Sequence, residues 1–272
     1  MGTNGYQTIT SPGNDPYVIT VGAMNMKGTP APSDDVIASY SSKGPTAIDY
    51  IVKPDLVAPG NQVVSMDNTY ANMFGLPAAY PRIVTYPGGA CQTCYMQLSG
   101  TSMAAPMVSG AAALLLQKTP SLTPDAVKAL LMKTASKGFP SYSVATDPVT
   151  GISYTSQYDI FTIGAGYLNI MAALNDNSDV LPAGKTALSP TASYNPATGQ
   201  VTIVYGSSVA WGTSVAWGTS VCWGTTVFVN GTSVAWGTST MQGMNVVWGT
   251  NVVWGTSTPA SEAITVLING EK

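Results

Sequence analysis

The pattern of apolar and polar positions predicts short strands in the first hundred residues. Tyr17-Val-Ile-Thr-Val-Gly-Ala23 is rich in β-branched residues and follows a cluster of turn-forming residues, so it predicts a buried strand. Apolar segments on both sides of Ala58-Pro-Gly60 predict two extended pieces separated by a turn. A loop rich in Pro, Gly and Tyr is expected over about residues 66–96.

Three helices are predicted in the next part of the chain. Thr101 to Lys118 combines small and apolar residues on nearly all sides, a pattern that is typical of a buried helix. A second helix has Thr123 as its N-cap and Pro124 in its first turn, and it ends near Lys137-Gly138. Ile163 to Leu174 is predicted to form a third, shorter helix.

The pattern changes after a polar stretch of Pro, Ala and Thr at 176–200. From Tyr205 to Thr258 the chain repeats every six residues, with the consensus Ser-Val-Ala-Trp-Gly-Thr and one single-residue insertion between Trp223 and Asn230. Because six is even, extended chain would place the Trp side chains of uninterrupted successive units on one face, and the Gly-Thr pairs would mark bends. We expect a β-solenoid or a series of very short strands. The repeat contains all six tryptophans, namely Trp211, Trp217, Trp223, Trp236, Trp248 and Trp254.

Composition excludes several kinds of function. Only 8% of the 272 residues are charged and the net charge is −3, so a nucleic-acid interface is not expected. No apolar run is long enough to span a membrane, and the first residues lack the features of a signal peptide. The chain has no histidine, which excludes a histidine general base and the usual histidine metal sites within it.

The three cysteines do not indicate a disulfide framework. Cys91 and Cys94 have CxxC spacing without a surrounding βαβ pattern, which favours a surface loop holding a local disulfide or two free thiols. Cys222 occupies a position where the repeat usually has Ala. No acidic cluster has the spacing of calcium ligands, so we expect neither a metal nor another cofactor.

One motif has the physical features that a nucleophile needs. Gly100-Thr-Ser-Met-Ala-Ala-Pro106 opens the small-residue helix and places Ser102 at its positive end, where backbone N–H groups are free. The N–H of Ser102 could donate to the oxyanion that develops during acyl transfer. The same pattern also fits a serine that only caps a closely packed helix.

This segment resembles the nucleophile motif of the subtilisin-like serine proteases (subtilases). Other segments that resemble the family occur in the family's order, at residues 11–23, 40–46, 53–60, 122–128 and 164–168. The resemblance covers about residues 1–175 and implies a doubly wound, mostly parallel sheet with helices on both faces. It implies that Ser102 is the nucleophile of a secreted endopeptidase, with Gly100 and Thr101 in the substrate site.

The chain departs from the family's pattern in its catalytic residues. The family's triad has the order Asp, His, Ser, and this sequence begins after the first two motifs. The family's oxyanion Asn lies in a Gly-Asn-x-Gly stretch, whereas Gly2-Thr-Asn-Gly5 matches only after a shift of one residue, which makes Asn4 a possible oxyanion donor. A Ser-Lys pair is not indicated, since Lys43, Lys53 and Lys118 have no spacing that points to Ser102. Asp15 and Asp55 belong to turn motifs and are expected to orient loops.

The sequence therefore predicts a partial subtilisin-like catalytic domain over 1–175, a linker over 176–200, a β-repeat region over 201–258 and a tail over 259–272. We expect an α/β fold followed by an all-β repeat. Peptide or protein substrates would be hydrolysed only if another chain supplied the Asp and His, and the isolated chain would be inactive or weakly active. An incomplete sheet would expose a strand edge and the apolar side of the Ser102 helix, which favours self-association through that edge or the repeat.

Two alternatives give the repeat the main role. Exposed rows of Trp could bind sugars or polymer surfaces, although the same rings could instead fill a solenoid core or cover the protease part. Stackable β-coils with few charges could also assemble into fibres.

Overall fold

The computed structural model describes residues 6–66, 95–140, 142–146, 153–178, 181, 185–195, 200–204, 226–227 and 270. Asn4, the three cysteines and the six tryptophans lie outside these residues.

The largest described sheet within residues 1–175 has the order β2-β1-β3, formed by Val21–Asn25 (β1), Val36–Ile37 (β2) and Leu56–Pro59 (β3). β1 pairs with β3 in parallel and with β2 in an antiparallel arrangement. Within the described residues the sheet is thus mixed rather than mostly parallel. The segment between β1 and β2 is too short for the crossover that a parallel pair requires.

The first strand begins later than predicted. Thr20 donates its N–H to Asp55 Oδ2 at 2.8 Å and its hydroxyl to the carbonyl oxygen of Gly13 at 2.6 Å. These bonds replace ladder bonds just before Val21, so residues 17–20 are not part of the strand. The sequence pattern could not predict this, because it does not show which distant residues will bond to Thr20.

The other described strands form small antiparallel sheets. β4 pairs with β5 and β6 with β7, while β9 lies between β8 and β10. Their bounds are Val63–Met66 (β4), Tyr95–Leu98 (β5), Tyr142–Thr146 (β6), Ser153–Gln157 (β7), Thr191–Asn195 (β8), Gln200–Val204 (β9) and Thr226–Val227 (β10). The predicted mixture of α and β structure is confirmed for the region before the repeats.

The first helix, α1, spans Thr101–Lys118 as predicted, but it is not buried on all sides. Ala104, Val108, Ala111 and Leu115 form the buried stripe, which packs against β1 and β3. The opposite side is exposed and remains apolar, with Ala105, Pro106, Ala113, Leu114 and Leu116 on it. The expectation of a fully buried helix is therefore wrong, because the described residues bury only one face of α1.

The second helix, α2, confirms the capping prediction. It spans Pro124–Thr134, and Thr123 Oγ1 accepts a hydrogen bond from the N–H of Ala126 at 3.2 Å. The helix is shorter than the predicted end near Gly138. At that end the half-buried Lys137 ammonium donates to backbone carbonyls, including that of Ala165.

The predicted third helix is divided into two short ones, Ile160–Ile163 (α3) and Ile170–Asn175 (α4). The segment between them bonds to β3 and to Asp55, the residue just before β3, instead of continuing the helix. Ala165 donates its N–H to the carbonyl oxygen of Asp55 at 2.7 Å, and Leu168 donates to that of Val57 at 2.9 Å. Tertiary pairing therefore replaces helical hydrogen bonds in this segment.

The predicted linker at 176–200 contains packed structure. Ala187 and Ser189 are buried, and β8 belongs to a sheet. The N–H of Ala187 donates to Asp125 Oδ1 at 2.7 Å, and the N–H of Val52 donates to the carbonyl oxygen of Pro190 at 2.8 Å. A linker was predicted because the residues are polar and small, whereas their packing depends on partners far away in the chain.

Of the predicted repeat region, the structure describes only residues 201–204 in β9 and 226–227 in β10. The two strands pair with Thr226 opposite Thr202 and Val227 opposite Val201. The solenoid remains a prediction, because the other repeat residues lie outside the described ones. None of the helices in the described part of the chain has the length and apolar character needed to cross a lipid bilayer.

Candidate active site

The nucleophile motif lies at the junction of β5 and α1. Gly100 is the N-cap of α1 and has a φ of 151°, a conformation that favours glycine. Its carbonyl oxygen accepts from the N–H groups of Met103 at 2.9 Å and Ala104 at 3.3 Å. Ser102 is thus the second residue of a well-formed helix, as the sequence predicted.

Ser102 has a hydroxyl and a backbone N–H of the kind that acyl transfer requires. Its side chain is half-buried, and its hydroxyl makes no hydrogen bond to any residue that the structure describes. The N–H groups of Thr101 and Ser102 belong to the first turn, where a helix supplies no acceptor. The partial positive charge of that helix end favours an anion beside Ser102.

The turn that contains Gly60 contacts this junction and supports it. The N–H of Gly100 donates to the carbonyl oxygen of Gly60 at 2.8 Å, and the Tyr40 hydroxyl donates to the same oxygen at 3.0 Å. Gly60 in turn donates its N–H to the carbonyl oxygen of Met24, at the end of β1, at 3.0 Å. The position of Ser102 is therefore tied to the central sheet. Sequence reasoning did not assign Tyr40 or Gly60 to the site, although both lie in segments that resemble the family.

The remaining predicted site residues have different outcomes. Gly100 and Thr101 flank Ser102 directly, whereas Asn4 lies outside the described residues. In the described ranges, no group of three or more Cys, Asp or Glu is placed to hold a metal ion.

Comparison with known proteins identifies the family of this chain. The sequence model of the subtilase family matches residues 1–166, a range that includes the nucleophile motif and its supporting turn. The chain belongs to the subtilase family.

Parts of this subtilase sequence are similar to parts of known proteases. Serine protease AprX of Bacillus subtilis is 41% identical over 133 residues, which are 48% of this chain and 27% of AprX. Subtilisin-like protease SBT1.6 of Arabidopsis thaliana is 37% identical over 161 residues, which are 57% of this chain and 19% of that protein. The crystal structure of fervidolysin from Fervidobacterium pennivorans, described as a keratinolytic enzyme related to subtilisin, superposes with a TM-score of 0.40 and 24% identity. That superposition covers 65% of this chain and 21% of fervidolysin. The chain spans less than a third of the length of each of these proteins.

The three lysines considered as partners for Ser102 bind elsewhere in this subtilase chain. Lys43 Nζ donates to Ser156 Oγ at 3.0 Å, and Lys53 Nζ donates to Asp55 Oδ2 at 2.8 Å. Lys118 Nζ donates to Asn177 Oδ1 at 2.8 Å. A Ser-Lys pair at Ser102 therefore has no support from these side chains.

Asp55 is the centre of a buried ionic cluster rather than only a turn residue. Its Oδ2 accepts from Lys53 and from the N–H of Thr20, each at 2.8 Å. Its Oδ1 accepts from Ser189 Oγ at 2.5 Å and lies 3.1 Å from Lys128 Nζ. Burial raises the pKa of the Asp55 carboxyl, but the two ammonium groups outweigh it and hold that pKa below its usual value. The cluster joins β3, α2 and the predicted linker into one core.

A second buried polar cluster surrounds Lys43. Its ammonium lies 5.5 Å from the ring centroid of Tyr6, whose hydroxyl donates to Asp159 Oδ2. Burial lowers the pKa of Lys43 to about 8, although the nearby Asp159 carboxylate acts in the opposite direction.

This shift predicts that stability rises with pH. Between about pH 8 and 10 the folded chain releases the Lys43 proton more readily than the unfolded chain does, so raising the pH favours the folded state. We expect the free energy of unfolding to increase across this range. Lys43→Met, which keeps the length of the side chain but has no ammonium, should give a shallower increase. Urea unfolding followed by circular dichroism at four pH values would check this, and equal slopes in both proteins would contradict it.

Proposed function

We propose that this chain is the nucleophile-bearing part of a subtilisin-like serine endopeptidase, with Ser102 as the acylated residue. The observation that carries the proposal is the position of Ser102 in the first turn of α1, where its hydroxyl makes no hydrogen bond to a described residue, within a subtilase-family chain. The sequence resemblance and the geometry support the same assignment.

In the proposed reaction, Ser102 Oγ attacks the carbonyl carbon of a substrate peptide while a general base accepts its proton. The Ser102 N–H donates to the resulting oxyanion, and Asn4 is the proposed second donor. Gly100 and Thr101 lie where the substrate backbone would bind. Collapse of the intermediate breaks the C–N bond, the leaving amine takes up the proton, and water then hydrolyses the acyl-enzyme.

The base must come from outside this sequence, because the chain contains no histidine. We propose that a complementing polypeptide with the Asp and His motifs supplies it. The exposed apolar side of α1, which includes Leu114 and Leu116 at 42% exposure each, is the surface such a polypeptide would cover. Without it, hydrolysis is expected to be weak or absent, since an unactivated serine is a poor nucleophile.

The first test is labelling with a fluorophosphonate serine probe, read by intact mass. We expect no adduct on the chain alone within hours. A single adduct is expected when the chain is co-expressed with the Asp- and His-bearing part of a subtilase catalytic domain. Light scattering on the same samples would report whether a complex or a self-associated form is present.

Two variants assign the adduct. Ser102→Ala should abolish it, and Ser109→Ala, which changes an exposed serine on the same helix, should retain it. Equally fast labelling of the uncomplexed chain would show that no histidine is needed. Absence of labelling in a verified complex would exclude Ser102 as the nucleophile.

A structural function of the repeat is the second candidate, in an extracellular protein by analogy with the implied secreted family. It is favoured by the antiparallel pairing of residues 226–227, which lie within the repeat region, with β9. In this alternative the chain self-associates or binds surfaces through its Trp-Gly-Thr units. In the labelling experiment, this alternative predicts large particles in light scattering and no adduct in the intact mass.

A further inference from the structure

The carbonyl oxygen of Gly60 connects the nucleophile motif to a distant part of the chain. It accepts two hydrogen bonds, from the N–H of Gly100 at 2.8 Å and from the hydroxyl of Tyr40 at 3.0 Å. A carbonyl oxygen has two lone pairs, so these two donors use both. Gly60 and Gly100 are buried, and Gly100 lies two residues before Ser102. A shift of the Gly60 oxygen would therefore be passed on to the first turn of α1.

Tyr40 lies in a segment that is itself held on the central sheet. The N–H of Ala38 donates to the carbonyl oxygen of Ala23 in β1 at 3.0 Å, and Ser41 Oγ accepts from the N–H of Ala23 at 3.0 Å. Ala38 and Ser41 are both buried. Because β1 holds the chain on both sides of Tyr40, residues outside the nucleophile motif fix the place of its hydroxyl.

The hydroxyl of Tyr40 has a second neighbour, which is a weaker acceptor. Asn61 Oδ1 lies 3.4 Å from the Tyr40 oxygen, and the carboxamide of this buried side chain donates through Nδ2 to Asn25 Oδ1 at 2.9 Å. Hydrogen bonds between two oxygens span about 2.5–3.0 Å, and a hydroxyl has only one proton to donate. The proton of Tyr40 is therefore assigned to Gly60, and removing the hydroxyl would leave the Gly60 oxygen with one donor.

We propose that Tyr40 is a positioning residue for Ser102. Its hydroxyl holds the Gly60 oxygen, and through it the N–H of Gly100, so that the first turn of α1 keeps one orientation. This inference rests on the proposed function of Ser102, because a fixed orientation matters for the attack on a substrate carbonyl. Tyr40 itself needs no contact with the substrate, since it acts through the backbone of Gly60 and Gly100.

The first measurement uses Tyr40→Phe in the complemented complex. Phenylalanine keeps the ring, which packs against the main apolar core, and removes only the hydroxyl. Labelling of Ser102 at a series of fluorophosphonate concentrations separates the maximal labelling rate from the half-saturating concentration. We expect the maximal rate to fall about tenfold, equivalent to about 1.4 kcal/mol, and the half-saturating concentration to stay the same. Tyr142→Phe, which removes the hydroxyl of an exposed tyrosine on β6, should change neither quantity.

The second measurement is amide hydrogen exchange by NMR on the chain alone, which requires no activity. In Tyr40→Phe the N–H of Gly100 should exchange about tenfold faster, because its acceptor is held less firmly. The N–H groups of Ala129 and Leu130 in α2 should exchange at unchanged rates. If they also exchange faster, the substitution has loosened the whole fold. A chain with 4-aminophenylalanine in place of Tyr40 then decides, since it restores an N–H donor on the same ring. Labelling at the wild-type rate would support the proposal, and slow labelling would exclude it.

The outcomes separate this inference from the proposed function. If the wild-type complex is not labelled, the proposed function is wrong and the positioning role is excluded with it. If the wild-type complex is labelled and Tyr40→Phe is labelled equally fast, only the positioning role is excluded. An unchanged maximal rate with a higher half-saturating concentration would make Tyr40 a binding residue instead. Slow labelling with unchanged exchange at Gly100 would exclude the route through Gly60.

Discussion

Replacing Asp55 by asparagine is expected to lower the free energy of unfolding by about 3–5 kcal/mol, the usual effect of removing one partner from a buried ionic cluster. Asp55 is fully buried and is the only carboxylate paired with Lys53 and Lys128 in the described structure. The substitution would leave two buried ammonium groups without a counter-charge. Thermal unfolding followed by circular dichroism should show a loss of roughly 6–20 °C in Tm.

Asp176→Asn provides the matched control. It makes the same chemical change at the ion pair between Asp176 and Lys133. The side chain of Asp176 is 19% exposed and that of Lys133 is 30% exposed. Pairs of this kind contribute about 0–1 kcal/mol. If both variants unfold at the same temperature, the Asp55 cluster does not stabilise the fold as argued.

Gly60→Ala is expected to have the largest effect on the reactivity of Ser102, the proposed nucleophile. The added Cβ would lie 2.6 Å from Ala23 Cβ and 2.9 Å from the carbonyl oxygen of Gly100, so the supporting turn must move. A displacement of about 1 Å at a catalytic group costs on the order of 10²-fold in rate. In the complemented complex, the rate of fluorophosphonate labelling of Ser102 should fall by about this factor.

Gly138→Ala is the control for this effect. A Cβ at Gly138, an exposed residue beyond the end of α2, would meet no atom of the described residues within 4 Å. Alanine there should leave labelling unchanged. Normal labelling of Gly60→Ala would show that the turn does not position Ser102.

The predictions that succeeded depend on local signals. The bounds of α1 and the Thr123 cap of α2 follow from residues within one or two turns of each other. The position of Ser102 in the first turn of α1 was predicted for the same reason, since Gly100 and Ser102 are nearly adjacent and the helix start fixes their relation. By contrast, the third predicted helix is interrupted because Ala165 and Leu168 bond to β3, more than a hundred residues earlier in the chain.

The sequence by itself determined the family, the position of Ser102 and the absence of histidine, because each is carried by residue identity in short segments. Only the tertiary structure showed that α1 has a covered and an exposed face and that Asp55 holds two lysines in the core. It also decided that part of the predicted linker is packed. These features depend on contacts between distant residues, and the order of residue types along a chain does not encode which distant partner a polar or small residue will meet.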